Sequence, residues 1–486
     1  MNREFLINIG LLLGLNLLIK PFYIFGIERN VQNTVGEEAF GEYATLFTFT
    51  FLLQIINDFG LQNFNNRAIS RRPRRLDNYF SNILFLKIFL GTLFIVISFG
   101  AAYLWGYTDK SLWPIFIFFC VNHILISFNL YLRSNISGIG LYRTDSLISA
   151  LDKTLLIGIC AFLLWGNAAS PFRIEYFVYA QTASLFLTAA TAFFIVFRQI
   201  KHFKPRINFQ FLRRILRNSF PYALVIFLMT LYTRIDIIMI EKMLPDGDVQ
   251  TGIYAAAFRL LDACNMIGFL FAGLLMPMFS KLLTNLKKTR QELQSLTELS
   301  LQMVWAGALT LSVTVFFFRE QVMVELYAKA TPYWGEILGW LILTFVAMSG
   351  TYIFGTLLTA NGSMRKMNVL FAAGIVINIV LNILLISQTK AAGAALATFL
   401  TQTFVLLLQI YLCSTELNVN ISGRIFLKLS AFLLLLTLTG YFLHGINGLD
   451  WRILFVSSLS VGILLSFIFR LINPQALLDL LRQKVQ

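Results

Sequence analysis

The fold class is decided by long apolar stretches such as residues 80–105, which read FSNILFLKIFLGTLFIVISFGAAYLW. Lys87 is the one charged residue in this stretch. A helix needs about 20 mostly apolar residues to cross the ~30 Å hydrocarbon core of a membrane. The stretch lacks the alternation of apolar and polar residues that is typical of a strand in a transmembrane barrel. It therefore predicts a membrane-spanning helix.

The composition of the whole chain agrees with this interpretation. Of the 486 residues, 57% are hydrophobic and 13% are charged, whereas a soluble protein has about 25% charged residues. This excludes a water-soluble multidomain enzyme and a disordered chain. Fourteen apolar stretches are long enough to span a membrane, approximately residues 5–27, 42–64, 80–105, 112–132, 146–165, 172–197, 220–240, 252–283, 297–318, 333–358, 364–387, 391–413, 425–443 and 451–471. We predict an all-α polytopic membrane protein with about 14 transmembrane helices.

The net charge of +15 is explained by the loops rather than by nucleic-acid binding. With the N-terminus inside, cytoplasmic segments hold 26 of the Lys and Arg residues and outer segments hold 8. An excess of Lys and Arg in cytoplasmic loops sets the orientation of membrane proteins. We therefore predict that both termini are cytoplasmic, that the protein contacts membrane lipids and that it does not bind nucleic acid.

Two pairs of similar segments indicate an internal repeat. GEYATLF at residues 41–47 resembles GIYAAAF at 252–258, and GLYR at 140–143 resembles GSMR at 362–365. The pairs fall at equivalent positions of two six-helix units, which share one membrane orientation because six is even. We predict two pseudo-symmetric six-helix lobes at residues 1–197 and 218–414, joined by a basic cytoplasmic connection at 198–217. Residues 415–486 would hold a C-terminal pair of helices and a cytoplasmic tail.

Charged residues within the predicted spans are the main indication of function, because burying a charge in a membrane costs several kcal/mol. Lys20, Arg234 and Arg259 all lie about seven residues from the outer end of their spans, roughly 10 Å below the interface. Three cations at one depth predict a cationic cavity that binds a phosphate or pyrophosphate. The alternative is that each long side chain snorkels out to the interface.

The other charged residues of the spans allow simpler interpretations. Asp236 and Asp262 either neutralise the neighbouring arginines, which we favour, or bind a coupling proton or sodium ion. Lys87, and the pair Asp152 and Lys153, lie nearer the cytoplasmic end, where we expect snorkelling. The sequence has no phosphate-binding P-loop and no HExxH or CxxC motif. We therefore expect no cofactor, no metal and no enzyme activity.

Several of these segments resemble the signatures of bacterial polysaccharide flippases, members of the multidrug/oligosaccharidyl-lipid/polysaccharide (MOP) exporter superfamily. In the first lobe they are Gly41-Glu-Tyr43-Ala44, Asp58-Phe59-Gly60-Leu61 and Arg67-Ala68-Ile69. In the second lobe they are YTRIDIIM at 232–239 and GIYAAAFR at 252–259. The resemblance extends from the first to the twelfth span, and the plan of fourteen spans also matches.

The resemblance implies a transporter of the bacterial inner membrane. It would move an undecaprenyl-pyrophosphate-linked oligosaccharide, such as an O-antigen, capsule or exopolysaccharide repeat unit, to the periplasmic leaflet by alternating access. It also implies a gate-region arginine at Arg67, which would pair with Asp58 at the inner gate. Polysaccharide polymerase or export machinery are the expected partners. The alternatives are a lipid II flippase, a drug or cation exporter of the same superfamily and, from another class, an integral-membrane glycosyltransferase or ligase.

Overall fold

The computed structural model describes residues 14, 18–62, 65, 69, 76–107, 113–166, 171–200, 209–284, 286–446 and 448–472. These residues are mostly helical, and none of them lies in a strand. Thirteen helices within this part of the chain are long and apolar enough to cross a membrane. They correspond to the predicted spans two to fourteen, whereas most of the predicted first span lies outside the described residues. The all-α polytopic fold is thus confirmed.

The helices are numbered in chain order. A helical segment at 18–35, α1, contains a π-helical turn at Tyr23–Glu28. The next helices are α2 Glu37–Asp58, α3 Leu76–Leu104, α4 Trp113–Gly138, α5 Tyr142–Trp165, α6 Ile174–Gln199, α7 Phe209–Met243 and α8 Gly247–Leu283. They are followed by α9 Leu286–Phe317, the short α10 Arg319–Leu326, α11 Pro332–Asn361, α12 Met364–Thr389, α13 Ala391–Leu417, α14 Gly423–His444 and α15 Trp451–Ile468.

The chain divides into two compact units, residues 2–238 and residues 239–486. The division lies within α7, later than the predicted start of the second lobe at residue 218. The N-terminal part of α7 is amphipathic: Leu212 and Ile215 are buried in the core of the first unit, while Arg213 and Arg217 are exposed. This apolar face explains why the start of α7 belongs to the first unit. The lobe boundaries predicted from the sequence stay predictions.

The tyrosine of each repeated segment connects its own helix to a later helix of the same unit. Tyr43 connects α2 to α6, and Tyr254 connects α8 to α13. Tyr43 on α2 is almost completely buried, and its hydroxyl accepts a hydrogen bond of 2.8 Å from Gln181 on α6. Tyr254 on α8 is completely buried, and its hydroxyl lies 3.3 Å from that of Thr398 on α13. A buried hydroxyl needs such a partner. In each unit, the tyrosine of the segment is thus a buried contact between two helices.

The second unit is organised around α11, which packs against α8, α9 and α13. The last two helices, α14 and α15, pack against α9. A Cβ atom at Gly440 would lie 2.3 Å from the Phe317 ring, and one at Gly462 would lie 2.4 Å from Thr310. Glycines therefore allow the close approach of these helices, as is usual between transmembrane helices.

An ion pair connects two short loops of the second unit on the predicted outer side. Lys390 Nζ lies 2.9 Å from Asp246 Oδ2, and Gln250 donates a second hydrogen bond to the same oxygen. The hydrogen bonds from Lys390 and Gln250 stabilise the carboxylate and hold the pKa of Asp246 below its usual value. The loops are thereby held together, at a site that is largely open to solvent.

Candidate functional site

Lys20 on α1 lies in a charged group that also includes Asp152 and Lys153 on α5. The half-buried Lys20 interacts electrostatically with both residues. Lys153 Nζ lies 3.9 Å from Asp152 Oδ2 and 4.5 Å from the centre of the Tyr23 ring. Arg133, which is paired with Asp145, also acts on Lys20, so Lys20 lies among charges of both signs. Lys20 was expected near the outer interface, and Asp152 and Lys153 nearer the cytoplasmic end. The packing of the π-helical turn of α1 against α5 brings them together.

Arg234 and Asp236 lie on α7 of the first unit. Arg234 is half-buried, whereas Asp236 is completely buried. Residues two apart on a helix do not share a face, so the two side chains leave α7 in different directions. Burying a carboxylate is costly unless it is paired, and both Arg234 and Asp236 interact with other groups of the structure.

Arg259 and Asp262 form the expected pair one turn apart on α8. Arg259 Nη1 lies 3.7 Å from Asp262 Oδ2, and both side chains remain about one-fifth exposed. The pair balances its own charge, and the choice between neutralisation and ion coupling stays a prediction. It belongs to the second unit, while Lys20 and Arg234 belong to the first. A common cavity for the three cations stays a prediction.

The expectation that Lys87 snorkels to the interface was wrong. Lys87 on α3 is 5% exposed, and its Nζ lies 2.7 Å from Asp58 Oδ1 at the end of α2. The ammonium also donates a hydrogen bond of 2.5 Å to Ser127 Oγ on α4 and one of 3.4 Å to the Asn57 carbonyl oxygen. Three acceptors satisfy the three N–H donors of a lysine. Pairing within the bundle is therefore favoured over an exposed position.

A signal for this pair was present in the sequence. Asp58 and Lys87 lie at a similar distance from the cytoplasmic ends of two successive predicted spans, which run in opposite directions. Residues at equal depth on neighbouring antiparallel helices can meet. The predicted inner-gate partner of Asp58, Arg67, lies outside the described residues. Lys87 is thus a second cation that can pair with Asp58, in addition to the predicted partner Arg67.

Further polar side chains connect the helices around this pair. Asn57 donates a hydrogen bond of 3.0 Å to the His123 carbonyl on α4, and Thr182 on α6 donates one of 2.6 Å to Asn122 Oδ1. His123 is completely buried, with its Nε2 3.4 Å from the Phe47 carbonyl. No group of three or more His, Cys, Asp or Glu side chains suited to a metal ion occurs within the described ranges.

Comparisons with known proteins agree on the fold and the family. The sequence profile of the family described as "Polysaccharide biosynthesis protein" matches residues 8–283, more than half of the chain. A comparison with curated protein sequences finds no match. The fold is similar to that of the lipid II flippase MurJ in an inward closed conformation, with 14% identity, a TM-score of 0.73 and coverage of 96% of this chain and 98% of that chain.

Two other transporters share the fold. An inward-facing multidrug resistance MATE family transporter of the MOP superfamily has 15% identity and a TM-score of 0.64, covering 81% of this chain and 94% of its own. A MOP superfamily transporter from Pyrococcus furiosus has 13% identity and a TM-score of 0.59, covering 85% and 94%. The chain therefore belongs to the polysaccharide biosynthesis protein family, and it has the fold of the MOP superfamily transporters.

Proposed function

We propose that the chain is a flippase that moves an undecaprenyl-pyrophosphate-linked oligosaccharide from the cytoplasmic to the periplasmic leaflet. The oligosaccharide would be a repeat unit of O-antigen, capsule or exopolysaccharide. The family and the transporter fold support a role in moving a lipid-linked substrate. The observation that carries the proposal is the presence of half-buried cations at Lys20, Arg234 and Arg259 in a bundle of apolar helices.

The cations would bind the pyrophosphate. Moving a diphosphate away from water is costly, and positive side chains at close range offset that cost. Arginine can make paired hydrogen bonds to phosphate oxygens, whereas lysine acts as a compact charge. In our proposal, the sugar occupies a polar cavity, the polyprenyl tail stays in lipid, and rocking of the lobes exposes the cavity to each leaflet in turn.

The acids would adjust the charge of this cavity. The Arg259–Asp262 pair places a carboxylate beside one proposed phosphate ligand, at a distance of 3.7 Å. A bound pyrophosphate would compete with Asp262 for Arg259, and Asp262 would then be free to take up a proton or sodium ion. Asp58 and Arg67 would form the inner gate, with Lys87 as an alternative partner of Asp58.

The proposal assigns the protein to the bacterial inner membrane, with both termini in the cytoplasm and with polysaccharide polymerase or export machinery as partners. It needs no catalytic residue and no cofactor, because moving a lipid between leaflets makes and breaks no covalent bond.

Complementation of a deletion strain tests the proposal. The wild type should restore surface polysaccharide, and the deletion should accumulate lipid-linked oligosaccharide. Arg234→Gln and Arg259→Gln should each reduce transport about 10-fold or more, because each removes charged hydrogen bonds worth about 1.5–3 kcal/mol. Arg213→Gln is the matched control, since it removes one exposed arginine from the start of α7. Normal surface polysaccharide with both variants, at normal protein levels, would contradict the cation assignment.

A lipid II flippase is the second candidate, favoured by the similarity to MurJ over almost the full length of both chains. Such a flippase would also need a pyrophosphate site, but cells would depend on it for growth. Rescue of a strain depleted of its own lipid II flippase would favour this candidate. Altered drug sensitivity of the deletion strain, without accumulation of lipid-linked oligosaccharide, would instead favour a drug exporter.

A further inference from the structure

The second unit contains a cavity of about 520 Å³ where α10 meets the start of α11. This volume lies within the range of roughly 300–1,000 Å³ that is usual for small-molecule sites. The cavity lies on the predicted outer side of the membrane, between the predicted ninth and tenth spans. Its walls include the rings of Phe316, Tyr333 and Trp340, the half-buried Arg319 and the exposed carboxylates of Glu320 and Glu336, so it is a cleft open to solvent.

Two glycines on α11 allow the side chains of α10 to lie against that helix. A Cβ atom at Gly335 would lie 2.7 Å from Glu320 Cγ, and one at Gly339 would lie 2.8 Å from Arg319 Cδ. Real side chains essentially never approach this closely. Larger residues at these positions would push both charged side chains away from α11. The glycines therefore determine where the carboxylate and the guanidinium stand in the cavity.

Arg319 is held in place from a second side. Its Nη1 donates a hydrogen bond of 2.8 Å to the Phe316 carbonyl, and its guanidinium lies 4.7 Å from the centre of the Phe316 ring. This contact is a cation–π interaction. The guanidinium has five N–H donors, so most of them remain for a ligand.

The aromatic rings are also fixed. The Tyr333 hydroxyl donates to Gln250 Oε1 at 3.0 Å and lies 3.3 Å from the Thr389 carbonyl. Trp340 packs against Phe399 on α13, with ring centres 6.0 Å apart. Both rings are therefore held by contacts outside the cavity. Glu336 and Trp340 are four residues apart on α11, so they lie on one face of the helix.

The charges of the cavity select a class of ligand. An anion would meet two carboxylates, Glu320 and Glu336, against one guanidinium that is already hydrogen-bonded. A cation would be attracted by the two carboxylates but repelled by the guanidinium of Arg319, so it is the competing ligand that the test includes. A neutral ligand rich in hydroxyl groups avoids both conflicts, because carboxylates accept hydrogen bonds from hydroxyls and the guanidinium donates to them. Its C–H faces could pack on the aromatic rings. These are the properties of a neutral saccharide.

We propose that this cavity binds neutral sugar residues of a glycan on the predicted outer side of the membrane. The assignment of this glycan to the transported oligosaccharide rests on the proposed function. The cavity would then hold the sugar after it has crossed the membrane and would hinder its return. The binding itself depends only on the geometry of the end of α9, α10 and the start of α11.

The test measures saccharide binding to the full-length protein in lipid nanodiscs by ligand-observed NMR. The probes are maltotriose and N,N′-diacetylchitobiose as neutral sugars, trigalacturonate as an anionic sugar and tetraphenylphosphonium as a cation. At least one neutral sugar should bind, and more tightly than the anionic sugar. Glu336→Gln removes the charge but keeps one acceptor oxygen, so it should weaken this binding by about 5-fold, since a charged hydrogen bond exceeds a neutral one by about 1 kcal/mol.

Two further variants make the result specific. Gly339→Ala should weaken binding through the displacement of Arg319, without removing any polar group. Asp248→Asn is the matched control, because Asp248 is an exposed acid on the same predicted side but outside the cavity. It should leave the affinity within about twofold of the wild type.

The proposal is overturned if neither neutral sugar binds, if Glu336→Gln and Gly339→Ala leave sugar binding unchanged, or if the cation is the ligand that Glu336→Gln releases. The failure of the proposed function is a separate outcome. A protein that transports lipid-linked oligosaccharide but binds no neutral sugar refutes the cavity assignment alone. A protein that binds the sugar but transports no lipid-linked oligosaccharide refutes the flippase assignment alone.

Discussion

The buried pair of Lys87 and Asp58 allows a quantitative prediction of stability. Replacing Lys87 by Met keeps most of the side-chain volume but removes the cation. It leaves Asp58 Oδ1 without its partner at 2.7 Å, and it removes the hydrogen bond to Ser127. Breaking a buried ion pair costs about 3–5 kcal/mol. Because Asp58 is 22% exposed and gains some hydration, we expect a loss near the lower end, about 3 kcal/mol.

Thermal unfolding can be followed with a thiol-reactive dye. Cys120 and Cys160 are buried in the first unit, so each becomes reactive when this unit opens. A loss of about 3 kcal/mol corresponds to a fall in Tm of about 6–12 °C for a unit of this size. The double variant Lys87→Met with Asp58→Asn should recover a large part of this loss, because an amide needs no counterion.

The control variant is Lys153→Met. Lys153 is 32% exposed and lies 3.9 Å from Asp152, and partly exposed pairs contribute about 0–1 kcal/mol. The reasoning is refuted if Lys87→Met lowers Tm no more than this control does. It is also refuted if Asp58→Asn adds its full separate cost to that of Lys87→Met, since two coupled residues cannot give additive effects.

Three further predictions use the same unfolding measurement or intrinsic tryptophan fluorescence. Tyr43→Phe should lower the free energy of unfolding by about 1 kcal/mol, and Tyr254→Phe should lower it by less. The first variant loses a hydrogen bond of 2.8 Å and the second a longer contact of 3.3 Å. Equal losses in the two variants would contradict this. Gly440→Ala should cost about 1–3 kcal/mol through crowding, whereas Gly158→Ala, where nothing lies within 4 Å, should be neutral or slightly stabilising. The carboxylate of Asp246, whose pKa is lowered, should stabilise the fold by less than about 1 kcal/mol at neutral pH. This contribution is lost as the pH falls below about 4 through the lowered pKa. The difference in stability between wild type and Asp246→Asn should therefore shrink at acidic pH.

The Tyr43 and Tyr254 segments illustrate how a sequence pattern can carry tertiary information. The repeat was visible because the same seven-residue pattern occurs at 41–47 and 252–258. Its cause was not visible, since the partners Gln181 and Thr398 lie 138 and 144 residues farther along the chain. The pattern indicated that the positions are equivalent, and the packing of the helices showed that each tyrosine ties α2 or α8 to the sixth helix of its set.

The intramembrane charges show the limits of reasoning from depth alone. Depth along a helix follows from residue number, so the sequence placed Lys20, Arg234 and Arg259 at similar levels. Direction around the helix depends on which neighbour packs against it. Lys87 and Asp152 were assigned to the cytoplasmic interface for this reason, whereas the first is buried against Asp58 and the second lies beside Lys20 and Lys153.

The sequence by itself determined that this is a helical membrane protein with many spans, it predicted an internal repeat, and it indicated the family. These properties depend on hydrophobicity, which adds up locally along about 20 residues of chain. Only the tertiary structure decided which charges meet, as with Lys87 and Asp58, and which side chains share a cavity, as with Glu320 and Glu336. Such contacts depend on the rotation and close approach of helices that are distant in sequence, and the hydrophobicity of a short stretch does not determine them.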